Sequence, residues 1–196
     1  MREQTLGEDH PDTLHTLRHL ADAHRLAGDF DRAVHLYDRA FRGRVRALGA
    51  AHTDTLAVLN LLAYSLRLAG LIQEAIPHYE QALHGMEAAL GSSHPDVLTT
   101  RNHLADAYKE TGDPRRALAL YEDNLPALVV SLGEDHPHTL LTRSNIASAH
   151  LAMGMRKEAR HLYTQTLEAC VRALGTSHPL TRAVYHQRRS SRRGKS

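Results

Sequence analysis

An all-α fold built as a stack of antiparallel helix pairs, an α-solenoid, is what this sequence predicts, and three observations carry the prediction. The phrase Leu6-Gly7-Glu8-Asp9-His10-Pro11-Asp12-Thr13-Leu14 returns every 42 residues, at 48–56, 90–98 and 132–140, and its first half returns at 174–179. A fixed period of about 20 to 50 residues marks an array in which no unit buries its own apolar face and neighbours bury it together. Nine of the twelve glycines stand at two fixed offsets within that period. Tryptophan is absent and there are two Phe, so Leu, Ala and seven Tyr must fill the core, a mixture that suits helices better than sheets.

Each repeat divides into two helical runs, A and B. Gly28, Gly70, Gly112 and Gly154 close the A runs, and Gly7, Gly49, Gly91, Gly133 and Gly175 close the B runs, as glycine does just past a helix end. A start signal follows each B stop: Asp9, Ser93, Asp135 or Ser177, then His, then Pro in four of five copies. Proline suits the first turn, and Asp12, Asp54 and Asp96 sit where a carboxylate meets the positive end of the helix dipole. The spacing predicts helix A of repeat one over about Pro11 to Leu26 and helix B over about Asp29 to Ala47. Leu14, Leu17, Leu20, Ala21 and His24 form the inward face of the first, and Ala33, Leu36, Tyr37, Ala40 and Phe41 that of the second.

The array spans residues 1–181, with repeats at about 8–49, 50–91, 92–133 and 134–175 and a partial unit from 176. Residues 1–7 align with the last turn of a helix B, so the chain is expected to be a fragment, or a short relative, of a longer array. Pro77 and Pro126 fall inside helix B, where each removes a backbone hydrogen bond, and local bends are expected there. Residues 182–196 read as a basic, disordered tail, carrying Arg182, Arg188, Arg189, Arg192, Arg193 and Lys195 and no acid.

Six of the 24 cations lie in that tail, so residues 1–180 hold 18 against 22 acids, a formal −4 behind the overall +2. A single cysteine excludes an internal disulfide and any multi-cysteine zinc site. No run approaches the roughly 18 apolar residues of a membrane span, and the charged start lacks the apolar core of a signal peptide, which points to the cytoplasm. Three Lys among the 24 cations fit a GC-rich bacterial genome.

The periodic positions carry a family resemblance. Leu20, Ala21, His24, Gly28, Ala33, Tyr37 and Ala40 recur as Leu62, Ala63, Leu66, Gly70, Ala75, Tyr79 and Ala82. They recur again as Leu104, Ala105, Tyr108, Gly112, Ala117, Tyr121 and Asn124, then as Ile146, Ala147, His150, Gly154, Ala159, Tyr163 and Thr166. Over about residues 1–185 the pattern resembles the tetratricopeptide repeat, in the 42-residue form of kinesin light chains and of bacterial signalling proteins that carry such arrays behind an NB-ARC ATPase module. Asn124 and Thr166 depart from the family's small residue late in helix B. The resemblance implies a right-handed α-solenoid and a non-catalytic scaffold for protein–protein interaction.

It also implies where a partner binds. Residues off the core on helix A line a concave groove in that family, and the matching positions here are Arg18, Asp22 and Arg25; Asn60, Tyr64 and Arg67; Asn102, Asp106 and Lys109; and Ser144 and Ser148. Asn can bond both polar groups of a peptide backbone, while Arg25, Arg67 and Lys109 recur on one stripe and favour an acidic ligand. Two other functions compete: head-to-tail self-association of the ends, and a nucleic-acid accessory role for the basic tail, which lacks interleaved aromatics and is disfavoured.

Other motifs carry no chemistry on this reading, so no cofactor and no metal are expected. The repeated His10, His52, His94, His136 and His178 stand beside helix starts, and equivalent positions in successive pairs lie roughly 15–20 Å apart, too far for one zinc ion. His15 and His19 share a helix face without a third ligand or an HExxH pattern, and Cys170 reads as a small buried thiol. Gly194-Lys195-Ser196 lacks the glycine, strand and helix of a phosphate loop.

Overall fold

The computed structural model describes residues 7–192, and the segments 1–6 and 193–196, with the expected helix-B remnant and the last four tail residues, lie outside the described residues. The described residues form nine helices and no strand: α1 (Pro11–Leu26), α2 (Phe30–Leu48), α3 (Thr53–Leu68), α4 (Ile72–Leu90), α5 (Pro95–Glu110), α6 (Pro114–Leu132), α7 (Pro137–Ala152), α8 (Arg156–Leu174) and α9 (Pro179–Arg192). This is the helix-pair class that the period predicts, with the first A helix where expected and the first B helix displaced by one residue.

The chain divides into two compact units, Met1–Ala107 and Tyr108–Ser196. In the first, α1 packs on α2, α2 on α3 and α3 on α4, and Thr100 and Arg101 of α5 bond Met86 and Glu87 of α4. In the second, α6 packs on α7, α7 on α8 and α8 on α9. Contact between sequence neighbours is what a repeat stack requires.

The same core returns in each repeat. Ala21, Ala63, Ala105 and Ala147 on the A helices and Ala33, Ala75, Ala117 and Ala159 on the B helices are fully buried, which lets the paired backbones approach. Tyr37, Tyr79, Tyr121 and Tyr163 fill the space beside them. Asn124 and Thr166, at the departing positions, are also buried, and Thr166 returns its hydroxyl proton to the Leu162 carbonyl at 2.8 Å. Both α4 and α6 continue through their interior prolines, Pro77 and Pro126.

The nine expected stop glycines all have positive φ, between 80° and 94°. At Gly70 the reason is visible: its N–H bonds the Arg67 carbonyl at 3.1 Å and the Leu71 N–H reaches back to Leu66 at 2.9 Å, the paired closure that needs a left-handed residue between them.

The repeated histidines are the N-caps. Nδ1 of His10, His52, His94, His136 and His178 accepts the N–H two residues on, each at 3.2 Å. A neutral imidazole here does the work that Ser or Asp usually does, and the Asp or Ser before it does not. We expect His52→Ala to cost about 1 kcal/mol and His52→Asn to restore most of it; urea midpoints of the two variants measure this, and equal values would remove the capping role.

Two expectations are corrected. Leu20 is 47% exposed, whereas Leu62, Leu104 and Ile146 at its register are buried, because no helix precedes α1 among the described residues. The segment from 182 is not unstructured as far as Arg192: α9 runs through it, anchored on α8 by buried Thr181 and Val184. Its opposite face carries exposed Arg182 and Arg189 where the other A helices bury Leu and Ala.

Candidate functional site

Ten of the eleven groove residues are half-buried, and Ser144 is buried. The α1, α3 and α5 positions up to Asp106 fall in the first unit; Lys109, Ser144 and Ser148 fall in the second.

The first unit gathers its set around Tyr64. The Arg67 guanidinium lies 5.2 Å from the centre of that ring and the Arg25 guanidinium, from the preceding A helix, 5.6 Å, both within cation–π range. His103 stacks on Tyr64 at 4.8 Å, and its Nδ1 is 3.5 Å from Asn60 Oδ1. Asp22 stands 3.8 Å from Arg25 and accepts the hydroxyl proton of Tyr37. Arg18 lies near Arg44, which Asp54 neutralises at 3.6 Å, and Asn102 and Asp106 complete the set from α5.

Sequence reasoning missed two contributors. The B-helix tyrosines send their hydroxyls beneath the groove residues: Tyr37 to Asp22, Tyr79 beside Arg67, and Tyr163 to Ser148. Burial, aided by Asp22, pushes the Tyr37 phenol up to about 12, and burial raises Tyr79 further against the opposing charge of Arg67. His103 is the other. Burial first, then Arg67, lowers its pKa to about 4 against the pull of Asp106, so at neutral pH an uncharged ring supports Tyr64. A histidine next to Asn102 carried no periodic signal, since its register holds His19, Leu61 and Asn145 elsewhere.

In the second unit, Lys109 donates to Asn145 at 3.2 Å and lies 5.6 Å over the Tyr121 ring. Ser144 is buried and donates to Gln187 of α9 at 2.7 Å, so its hydroxyl is committed within the protein. Arg116 lies 5.3 Å over Tyr108.

The other singled-out groups have structural surroundings. His15 and His19 meet edge-on with their Nε2 atoms 3.0 Å apart, and no group of three metal-ligating residues forms among the described residues. Cys170 is fully buried and desolvation raises its pKa, which suppresses the reactive thiolate. No described helix is long and apolar enough to cross a membrane.

Family models described as tetratricopeptide repeat match residues 1–44, 54–128 and 139–180. The chain belongs to the tetratricopeptide repeat family. Among solved structures, this tetratricopeptide chain is similar to a Podosopora anserina kinesin-light-chain-type protein of nearly identical TPR-like repeats. The TM-score is 0.80 at 28% identity, covering 93% of this chain and 86% of that one. A point variant of that protein gives 0.81 at 28% identity, covering 92% and 85%. BtubC (BKLC) from P. vanneervenii shares the fold at a TM-score of 0.69 and 20% identity, covering 94% and 86%. No curated protein matches the chain.

Proposed function

We propose that this tetratricopeptide array is a non-catalytic interaction module that holds a peptide segment against the A-helix face of its first unit, and that the segment is acidic. The observation that carries this reading is the pair of guanidiniums, Arg25 and Arg67, brought from successive A helices to one half-buried tyrosine. The cation–π contacts hold both guanidiniums at the ring in advance, so less rotamer freedom is lost when a carboxylate is bound through charge-assisted hydrogen bonds. Asn60 on α3 and Asn102 on α5 supply amides of the kind that bond a peptide backbone. The family's general role in protein–protein interaction supports the coarser part of the proposal.

The test is affinity capture from the source organism's lysate with the intact chain and with an Arg25→Ala, Arg67→Ala variant of unchanged helicity, followed by titration of the captured partner's acidic segment. Loss of at least about tenfold in affinity is expected, the equivalent of one charge-assisted contact. Undiminished capture by the variant would move the interaction off this face. Self-association is a second reading, favoured by the exposed Leu20. A monomer mass independent of concentration in light scattering removes it.

A further inference from the structure

A recess of about 470 Å³ between α8 and α9 is lined by Lys157, Arg160, His161, Thr164 and Arg188. The α8 residues follow at three- and four-residue steps and so share one helix face. No carboxylate lines the recess, and Glu158, the acid in the first turn of α8, is not part of it. Among the described residues none of the four basic side chains is in an ion pair. Other arginines are differently placed: Arg42 meets Asp38 at 3.0 Å, Arg143 meets Glu134 at 3.6 Å and Arg172 meets Asp135 at 3.2 Å.

The repeat register supplies an independent observation. The position of Arg160 is Val34, Ile76 and Leu118 in the earlier repeats, and that of Arg188 is Leu20, Leu62, Leu104 and Ile146. Two apolar positions that recur through the array have thus both become arginine, and the two arginines line the same recess. Lys157, Arg160 and His161 are exposed and Arg188 is half-buried, so the recess is open to solvent. Like charges gathered on it repel one another, and a multivalent anion between them reverses the sign of that interaction.

We propose that this recess binds a compact oligophosphate, a small ligand with two or three phosphoryl groups. Arg160 and Arg188 present forks that match phosphate oxygens two at a time, and Lys157 adds a point charge, giving three full positive charges. Thr164 gives its proton to the Arg160 carbonyl at 2.8 Å, so the donors to the ligand are the basic side chains. The volume lies within the range of small-ligand pockets, and no Phe, Tyr or Trp lines it to form a stacking platform for successive bases, which favours a compact ligand over a nucleic-acid strand.

The test is calorimetric titration of the full chain with inorganic triphosphate at fixed ionic strength. One saturable site is expected, weakened at least about tenfold in an Arg160→Leu, Arg188→Leu variant. That variant carries at both positions the residue type of the other repeats, so its helicity and unliganded thermal midpoint should hold; if it fails to fold, Lys157→Gln, Arg188→Gln replaces it. Absence of saturable binding, equal affinity in the variant, or binding of single-stranded oligothymidylate but not of triphosphate would each overturn the proposal.

Discussion

Replacing Tyr79 by Ala is expected to remove about 3–5 kcal/mol, the loss associated with emptying a fully buried aromatic site. Tyr79 has no exposed surface, and Ala63 and Ala75, buried in the same helix pair, carry only a methyl group each and have little side chain with which to fill a void. Because repeat arrays are stabilised by nearest-neighbour interfaces, the defect weakens the second repeat and both of its contacts. Urea denaturation followed by circular dichroism should show a lower midpoint and a broader transition. Tyr79→Phe, which keeps the ring and loses only the hydroxyl beside Arg67, should cost no more than about 1.5 kcal/mol. Similar losses in the two variants would mean that the hydroxyl, not the ring, holds the site.

Acidification should destabilise the protein through His103. In the unfolded chain its imidazole takes up a proton near pH 6.5, whereas in the folded protein it does so only near 4. The unfolded state therefore binds the extra proton throughout that window, and stability that is complete above about pH 6.5 declines as pH falls toward 4, by about 3 kcal/mol in all. Protonation also puts a cation beside Arg67 and under Tyr64, so the groove set should loosen together with the fold. His103→Gln carries no titrating group and should flatten this part of the profile. Urea midpoints at pH 7.5 and 4.5 for both proteins test it, and an equal acid sensitivity in the variant would remove His103 as the cause.

Much of the fold was legible because glycine and proline act locally. A stop glycine and a first-turn proline constrain backbone dihedrals without needing a neighbour, so helix α1 could be bounded from sequence at Pro11 and Leu26. What depends on neighbours was not legible. Leu20 has the same register as buried Leu62, but α2 precedes α3 whereas no helix precedes α1 among the described residues. Arg182 and Arg189 suggested a solvated tail, yet α9 is docked by buried Thr181 and Val184, by Leu180 against the same core and by Gln187, which accepts from Ser144. The candidate groove positions came from the family resemblance, and it did not say which of them meet: Ser144 is held by Gln187, 43 residues away, and Tyr64 is met by Arg25 of α1, Arg67 of α3 and His103 of α5.

The space around Gly70 is open: a methyl group built on its α-carbon would touch nothing within 4 Å, although φ there is 83°. Bulk is therefore not what the site rejects. It selects chirality, because an L residue resists that backbone angle while its mirror image adopts it naturally. A D-alanine introduced by chemical synthesis would sit in the existing turn and restrict the unfolded chain, so the repeat punctuation is a choice forced by a one-handed amino-acid alphabet.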